Sequence, residues 1–206
     1  MAGINTIIFD LGGVLIDWNP HYVFHDNYFD SIEKRNFFFE NICTSGWNEN
    51  QDAGYPIAKA TEERIALFPD WEKSIRDYYG RWTEMLGGPI GETVDIFRQL
   101  KQNPELKIYA LTNWSAGTFP VALERFDFLQ WFDGRVVSGE EKMRKPFREF
   151  YKLLLNRYSI NPSQALLIDD NLRNIKAAED IGIKGILFID PGQLINELTN
   201  YKIQFK

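Results

Sequence analysis

The sequence predicts an α/β fold: a mostly parallel sheet with helices on both faces, and a small helical segment inserted after the first strand. Three observations carry that expectation. Short, nearly continuous apolar runs alternate with stretches of helical period through the second half of the chain, the pattern of strands buried on both faces. Residues 18–88 interrupt that alternation with aromatic-rich, helix-like text. Small polar and acidic residues close the apolar runs, at the carboxyl ends of strands where open sheets of this class bind ligands.

Taken in order, Ile7-Ile8-Phe9 is a short β-prone run that ends at Asp10, and Gly12-Gly13 comes next as the strand breaks into a loop. Gly87-Gly88-Pro89 punctuates the return from the insertion. Glu92 to Lys101 has helical spacing with Val94, Phe97 and Leu100 inward, and Leu106 to Leu111 reads as a strand. Phe119 to Phe126 is helical, and Gly134 to Ser138 is a short strand. Glu149 to Arg157 is an amphipathic helix with Phe150, Leu153, Leu154 and Tyr158 on one side. Ala165 to Ile168 is a strand, Leu172 to Asp180 a helix closed near Gly182, and Lys184 to Ile189 a final strand. The crossovers are expected to be right-handed. The implied organisation is a core of residues 1–17 and 89–206 with a helical insertion at 18–88. That insertion holds 15 of the 31 Phe, Trp and Tyr residues and both histidines, His21 and His25, with no convincing buried strand inside it. Most of its rings are expected to form a small bundle core.

A chain of 206 residues, 44% of them hydrophobic, is long enough to bury a substantial core without staples. Net charge is −6 and the pI about 5.1, which argues against a nucleic-acid-binding surface or a polybasic membrane patch. The single cysteine, Cys43, excludes an intramolecular disulfide framework and any multi-cysteine metal centre. No apolar run approaches the roughly 20 residues of a membrane span, and no basic leader precedes the first strand. A cytoplasmic protein acting on a small molecule, as monomer or homodimer, is the expectation.

The polar residues at the strand ends are few: Asp10, Thr112-Asn113, Lys145-Pro146 and Asp169-Asp170-Asn171. Singly, each serves as a cap or turn residue elsewhere. Together they put three carboxylates, an ammonium and small hydrogen-bonding groups on one rim. Converging carboxylates repel and need a cation, and oxygen-only ligands favour a hard ion such as Mg²⁺. A lysine beside such a site suits an anionic substrate such as a phosphate.

Phe9-Asp10-Leu11-Gly12-Gly13-Val14-Leu15, Leu111-Thr112-Asn113, Lys145-Pro146 and Ile168-Asp169-Asp170-Asn171 with Asn174 resemble the four ordered motifs of the haloacid dehalogenase (HAD) superfamily. The resemblance runs from about Thr6 to Pro191 and implies a Rossmann-like core with a small helical cap inserted after the first motif, the arrangement of capped subfamily I. Within it, the chain is similar to the sugar-phosphatase-like branch that includes α-glucose-1-phosphate phosphatases and the N-terminal phosphatase domain of epoxide hydrolases. The resemblance implies a Mg²⁺-dependent phosphatase acting on a small phosphorylated metabolite. Asp10 would be the nucleophile. Mg²⁺ would be held by Asp10, the Gly12 carbonyl and Asp170, with Asp169 standing behind these ligands or acting through water. Thr112 and Asn113 would bind the phosphoryl oxygens, and Lys145, preferred over Arg144, would offset their charge. Trp114 is the preferred substrate contact because it directly succeeds Asn113, with Trp18 and Trp47 as further candidates.

One departure bears on mechanism. Most phosphatases of the superfamily carry a second aspartate, the general acid and base, at the position occupied here by Gly12. Asp17, His21 and His25 are the substitutes the sequence offers. Three readings are open: a phosphatase with a replaced acid, a non-catalytic phospho-ligand-binding protein, or a metal-independent 2-haloacid dehalogenase. The Asp169-Asp170 pair favours the first, since without a cation those charges would stand uncompensated.

Overall fold

The computed structural model describes residues 3–203. Strand β1, Thr6–Phe9, is buried throughout and forms the centre of a five-stranded sheet. On one side lie β4 (Lys107–Thr112) and β5 (Gly134–Val137), and on the other β6 (Ala165–Asp169) and β7 (Lys184–Leu187). All four pairings are parallel, with Phe9 level with Ala110 on one neighbour and Ile168 on the other. The chain therefore lays strands outward on one side of β1, crosses over, and lays the rest on the other. That reversal is the switch point at which open α/β sheets bind ligands. It brings the carboxyl ends of β1, β4 and β6 side by side.

Alternation along the strands divides the core in two. Ile7, Phe9, Ile108, Ala110, Leu166 and Ile168 share one apolar cluster with α5 (Gly91–Leu100) and α6 (Phe119–Arg125), and that cluster continues into the insertion. Ile8, Tyr109, Leu111 and Leu167 pack on the opposite side, with Phe150 and Leu154 of α8 (Arg148–Arg157) and Ile175 of α9 (Leu172–Glu179). A four-residue α7, Ser138–Glu141, turns the chain directly after β5. A last helix, α10 (Pro191–Asn200), has no counterpart in the sequence reading. Asp190 caps it by accepting from the Gln193 N–H, and it buries Leu194 and Leu198 near α5. No helix among the described residues is long and apolar enough to cross a membrane.

Between β1 and α5 the chain makes a two-stranded antiparallel ribbon, β2 (Ile16–Trp18) with β3 (Leu86–Pro89). The sequence predicts no convincing buried strand in this segment, and the ribbon at its two ends is only half-buried. The ribbon's strands are three and four residues long, and the Gly-Gly-Pro in β3 carries no period-two signal. Between them lie α1 (Ile32–Phe37), which runs on into a π-helical turn at Phe38–Ile42, then α2 (Ser45–Asp52), α3 (Ile57–Leu67) and α4 (Glu72–Gly80). Ser31 and Thr44 cap α1 and α2 with their side chains. The rings pack as expected of a bundle core: Phe24 meets Tyr28, Phe29, Phe38, Phe39 and Tyr78 at centroid distances of 4.8–6.1 Å.

Candidate active site

Asp10 is the first residue beyond β1, and its backbone N–H still reaches across to the Ile168 carbonyl at 2.9 Å. Its carboxylate accepts the Leu11 N–H at 2.7 Å on Oδ1 and the Lys145 ammonium at 2.8 Å on Oδ2. Lys145 is completely buried and also donates to Asp169 Oδ2 at 2.6 Å. Burial alone would lower the ammonium's pKa, but the two carboxylates outweigh it and hold the group above its ordinary value. Arg144 points elsewhere, to Glu49 of α2 at 2.8 Å, so Lys145 is the cation that reaches Asp10.

Asp169 is saturated by protein. Oδ1 accepts from the Asn171 N–H and from Asn174 Nδ2, each at 2.9 Å, and Oδ2 accepts from Lys145 and, at 3.1 Å, from Asn174. A carboxylate has about four acceptor positions, so Asp169 offers an ion charge rather than an open lone pair. The uncompensated repulsion expected of Asp169-Asp170 therefore falls on Asp10 and Asp170. Asn174, the last residue of the fourth motif, locks Asp169 in place.

Asp170 stands at the solvent edge of this cluster, and one oxygen from each of Asp10, Asp169 and Asp170 lies within 4.8 Å of the others. One ammonium among three carboxylates leaves two negative charges unbalanced. Desolvation, with Asp169 and Asp170 adding to it and Lys145 opposing, pushes the Asp10 carboxyl up to about 7. Partial burial and the Asp169 charge raise Asp170 as well. The loop after Asp10 is shaped to admit this group: Gly13 has φ +75°, and a Cβ there would stand 2.2 Å from Asp170 Oδ2. A hard divalent cation fits the donor set and the charge.

A cavity of about 190 Å³ opens above the cluster. Asp10, Gly12, Gly13, Asp170, Asn113 and Trp114 line it, together with Trp18, Trp82, Asn48 and Asp52. Of the residues singled out from sequence, Asp10, Gly12, Asn113, Trp114, Asp170 and Trp18 line it. Thr112, Lys145 and Asp169 are buried behind it. Asn113 commits its side chain to Lys145, donating to the Lys145 carbonyl at 3.0 Å and accepting the Lys145 N–H at 2.8 Å. Trp114 is packed as well as lining: its ring meets Trp82 and Phe119, and Nε1 donates to Thr118. Trp47 instead packs on Tyr78 and Tyr79 and faces a different groove. Asp17, His21 and His25 do not line the cavity. Asp17 accepts from the Tyr22 hydroxyl, and the His21 ring lies 4.8 Å from Phe39.

Sequence reasoning missed Asn48, Asp52 and Trp82. Asp52 closes α2, and its carboxyl is raised to about 7, chiefly by burial and then by Glu49. For a carboxyl whose folded pKa exceeds its unfolded value near 4, the native state holds the proton more tightly, so its contribution to stability falls as pH rises between those values. Asp10 and Asp52 both lie in that window, from about pH 4 to 7. In chelator the melting temperature is expected to fall by on the order of 5 °C between pH 5.5 and pH 8. A melting temperature that rises over that interval would contradict the assignment.

A carboxylate poised at the switch point of a parallel sheet, with a buried lysine behind it and an oxygen-only cation cluster beside it, is the equipment of a hydrolase built on an α/β core. The family of haloacid dehalogenase-like hydrolases matches residues 4–182, and the chain belongs to it. It is 34% identical over 200 residues to drimenol cyclase drtB of Aspergillus calidoustus, a match covering 96% of this chain but 36% of that protein, so the chain spans about a third of that relative's length. It is 29% identical to sesquiterpene phosphatase astK of Aspergillus oryzae, with 89% of each chain covered. Among solved structures, HAD family enzyme bt-2542 of Bacteroides thetaiotaomicron, a mutant in complex with magnesium and inorganic phosphate, superposes with a TM-score of 0.68 at 22% identity, covering 91% of this chain and 95% of that one.

Proposed function

We propose that the protein is a Mg²⁺-dependent phosphatase that hydrolyses a small phosphorylated metabolite, a sugar phosphate or similar monoester, through an aspartyl-phosphate on Asp10. The observation that carries this reading is the gathering of three carboxylates around one buried ammonium, beside a cavity that Asp10, Gly12 and Asp170 line. Phosphatases among its relatives and magnesium–phosphate complexes among its structural neighbours support it.

In this reading Asp10, Asp170 and the Gly12 carbonyl would hold Mg²⁺, and Asp169 would add charge. When bound, the ion supplies the positive charge that lets a carboxylate approach a phosphate dianion. Lys145 keeps Asp10 ionised in the loaded site and fixes its Oδ2, leaving the side chain little freedom to swing. Asn113 positions Lys145, and the chain at Asn113 borders the phosphoryl oxygens, with Thr112 buried behind it. Residues 18–88 act as the cap over a core of 1–17 and 89–206, with Trp18 and Trp82 roofing the substrate and excluding water. Three indoles in one small cavity suit a flat or apolar leaving group as well as a sugar face.

The test is phosphate release from a panel of sugar, aryl and prenyl phosphates, with Mg²⁺ and with chelator, alongside halide release from 2-chloropropionate. Phosphate released only with Mg²⁺ is the expected result. Halide release without metal, with no phosphate from any ester, would overturn the reading in favour of a dehalogenase.

A further inference from the structure

Gly12 gives the loop beyond β1 no proton donor for the leaving oxygen. The titratable side chains on the cavity wall are Asp10, Asp52 and Asp170. Asp10 and Asp170 belong to the nucleophile and the cation cluster. Asp52 belongs to neither, and it comes from α2, on the wall contributed by the insertion.

Its placement is built. Asn48, one turn earlier on α2, donates from Nδ2 to Asp52 Oδ2 at 2.9 Å. The Tyr79 hydroxyl of α4 donates to Asn48 Oδ1 at 2.8 Å, which fixes the amide's orientation. The Asn48 amide N–H fixes Oδ2 as an acceptor, and the Ser115 backbone amide also donates to this carboxyl. The Asp52 backbone carbonyl accepts from the Ser138 hydroxyl at 2.5 Å, and the same hydroxyl oxygen accepts the Trp114 N–H at 2.8 Å. One hydroxyl thus ties the end of α2 to the residue after Asn113, at the strand end that borders the phosphoryl group.

We propose that Asp52 is the general acid and base of the reaction, taking the role that Gly12 cannot fill. This inference rests on the phosphatase reading above. Asp10 attacks phosphorus, and as the Asp10 Oδ–P bond forms, the bond from phosphorus to the leaving oxygen breaks. That oxygen takes the proton from the Asp52 carboxyl and departs as the alcohol. Asp52, now a carboxylate, removes a proton from water as the water oxygen attacks phosphorus. The acyl phosphate breaks, inorganic phosphate leaves, and Asp10 and Asp52 return to their starting states.

The surroundings suit a group that begins protonated. Burial and the neighbouring Glu49 push the Asp52 carboxyl up, while the Ser115 backbone amide and Arg144 pull it down. Glu49 is itself paired with Arg144 and Arg173 of the core, and Tyr78 and Tyr79 of α4 supply only neutral hydroxyls. A carboxyl titrating near neutrality is matched to proton transfer at that pH.

The test compares hexyl phosphate, whose alkoxide cannot leave unprotonated, with p-nitrophenyl phosphate, whose phenolate can. In Asp52→Asn, turnover of hexyl phosphate falls about 10²–10³-fold. The same variant still gives a p-nitrophenol burst at close to the wild-type rate, and then slow steady-state release because dephosphorylation lacks its base. A burst slowed as much as hexyl phosphate turnover, or no loss on either ester, would overturn the assignment. The wild type gives an answer that does not depend on the variant folding. Across substituted phenyl phosphates its kcat/KM should depend weakly on leaving-group basicity at pH 6 and steeply at pH 8.5, and a dependence equally steep at both would also overturn it. If the wild type releases phosphate from neither ester, the phosphatase reading itself has failed. If it hydrolyses both and Asp52→Asn is indifferent, only the role of Asp52 has.

Discussion

Asp10→Asn abolishes phosphate release and leaves the protein folded. The amide keeps the shape of the carboxylate, its oxygen can still accept the Leu11 N–H, and Lys145 keeps Asp169 as its partner at 2.6 Å. What disappears is the nucleophile and one of the charges that require a cation. Loss of a nucleophile that acts as a unit with its neighbours is expected to cost about 10⁴-fold or more in kcat. The stability change should have the opposite character. Asp10 is nearly buried and its carboxyl is pushed up to about 7, mainly by desolvation, so ionising it at pH 8 destabilises the metal-free protein. In chelator at that pH, Asp10→Asn should melt no lower than the wild type, and added Mg²⁺ should raise its melting temperature less. A folded Asp10→Asn protein with turnover within tenfold of wild type would remove Asp10 from the chemistry.

Lys145→Met fails in the other direction, through stability as well as activity. Lys145 is fully buried between Asp10 and Asp169, and a methionine of similar volume fills the space without the charge. Removing one partner from a buried ionic cluster leaves the remaining charges uncompensated and costs about 3–5 kcal/mol. For a chain of this length that corresponds to a drop of roughly 10 °C in melting temperature. Asp10, whose carboxyl is already pushed up, would take up a proton in response, so the loss should be larger at pH 8 than at pH 5.5. Activity should fall to background, because a protonated Asp10 does not attack phosphorus. A melting temperature within about 2 °C of wild type at pH 8 would show that Lys145 does not hold these charges together.

The core and its strand-end residues were legible because both arise from short-range pattern. Ile7-Ile8-Phe9, Leu106 to Leu111 and Ala165 to Ile168 are apolar runs too short and too β-prone to be read as helices. A parallel sheet necessarily lines up the carboxyl ends of such runs, which brings Asp10, Thr112 and Asp169 together without any contact being known in advance. The β2–β3 ribbon was not legible, because its strands are too short for alternation and Gly87-Gly88-Pro89 has the text of a turn. Helix α10 is not among the elements the sequence pattern predicts, although Asp190-Pro191 is a ready start signal for it.

The saturation of Asp169 could not be read either, since it depends on Asn174 turning back one helical turn to meet it. Asp52 was hidden for a different reason. The α2 text, Ser-Gly-Trp-Asn-Glu-Asn-Gln-Asp, is that of a polar surface helix, and only the fold carries its last residue to the cavity wall. The spacing of Asn48 and Asp52, one turn apart on a single face, was the available signal. By contrast, Asp17, His21 and His25 drew notice because they stand near the nucleophile in sequence, and nearness along the chain did not bring them to the cavity.

The most direct measurement is acid quenching of the wild-type protein during turnover of p-nitrophenyl phosphate with Mg²⁺, and then mass analysis of its peptides. Phosphoryl transfer through Asp10 predicts a phosphate adduct on the peptide containing Asp10, absent with chelator and absent from Asp10→Asn. Steady phosphate release with no adduct on that peptide, or with an adduct on another residue, would contradict it.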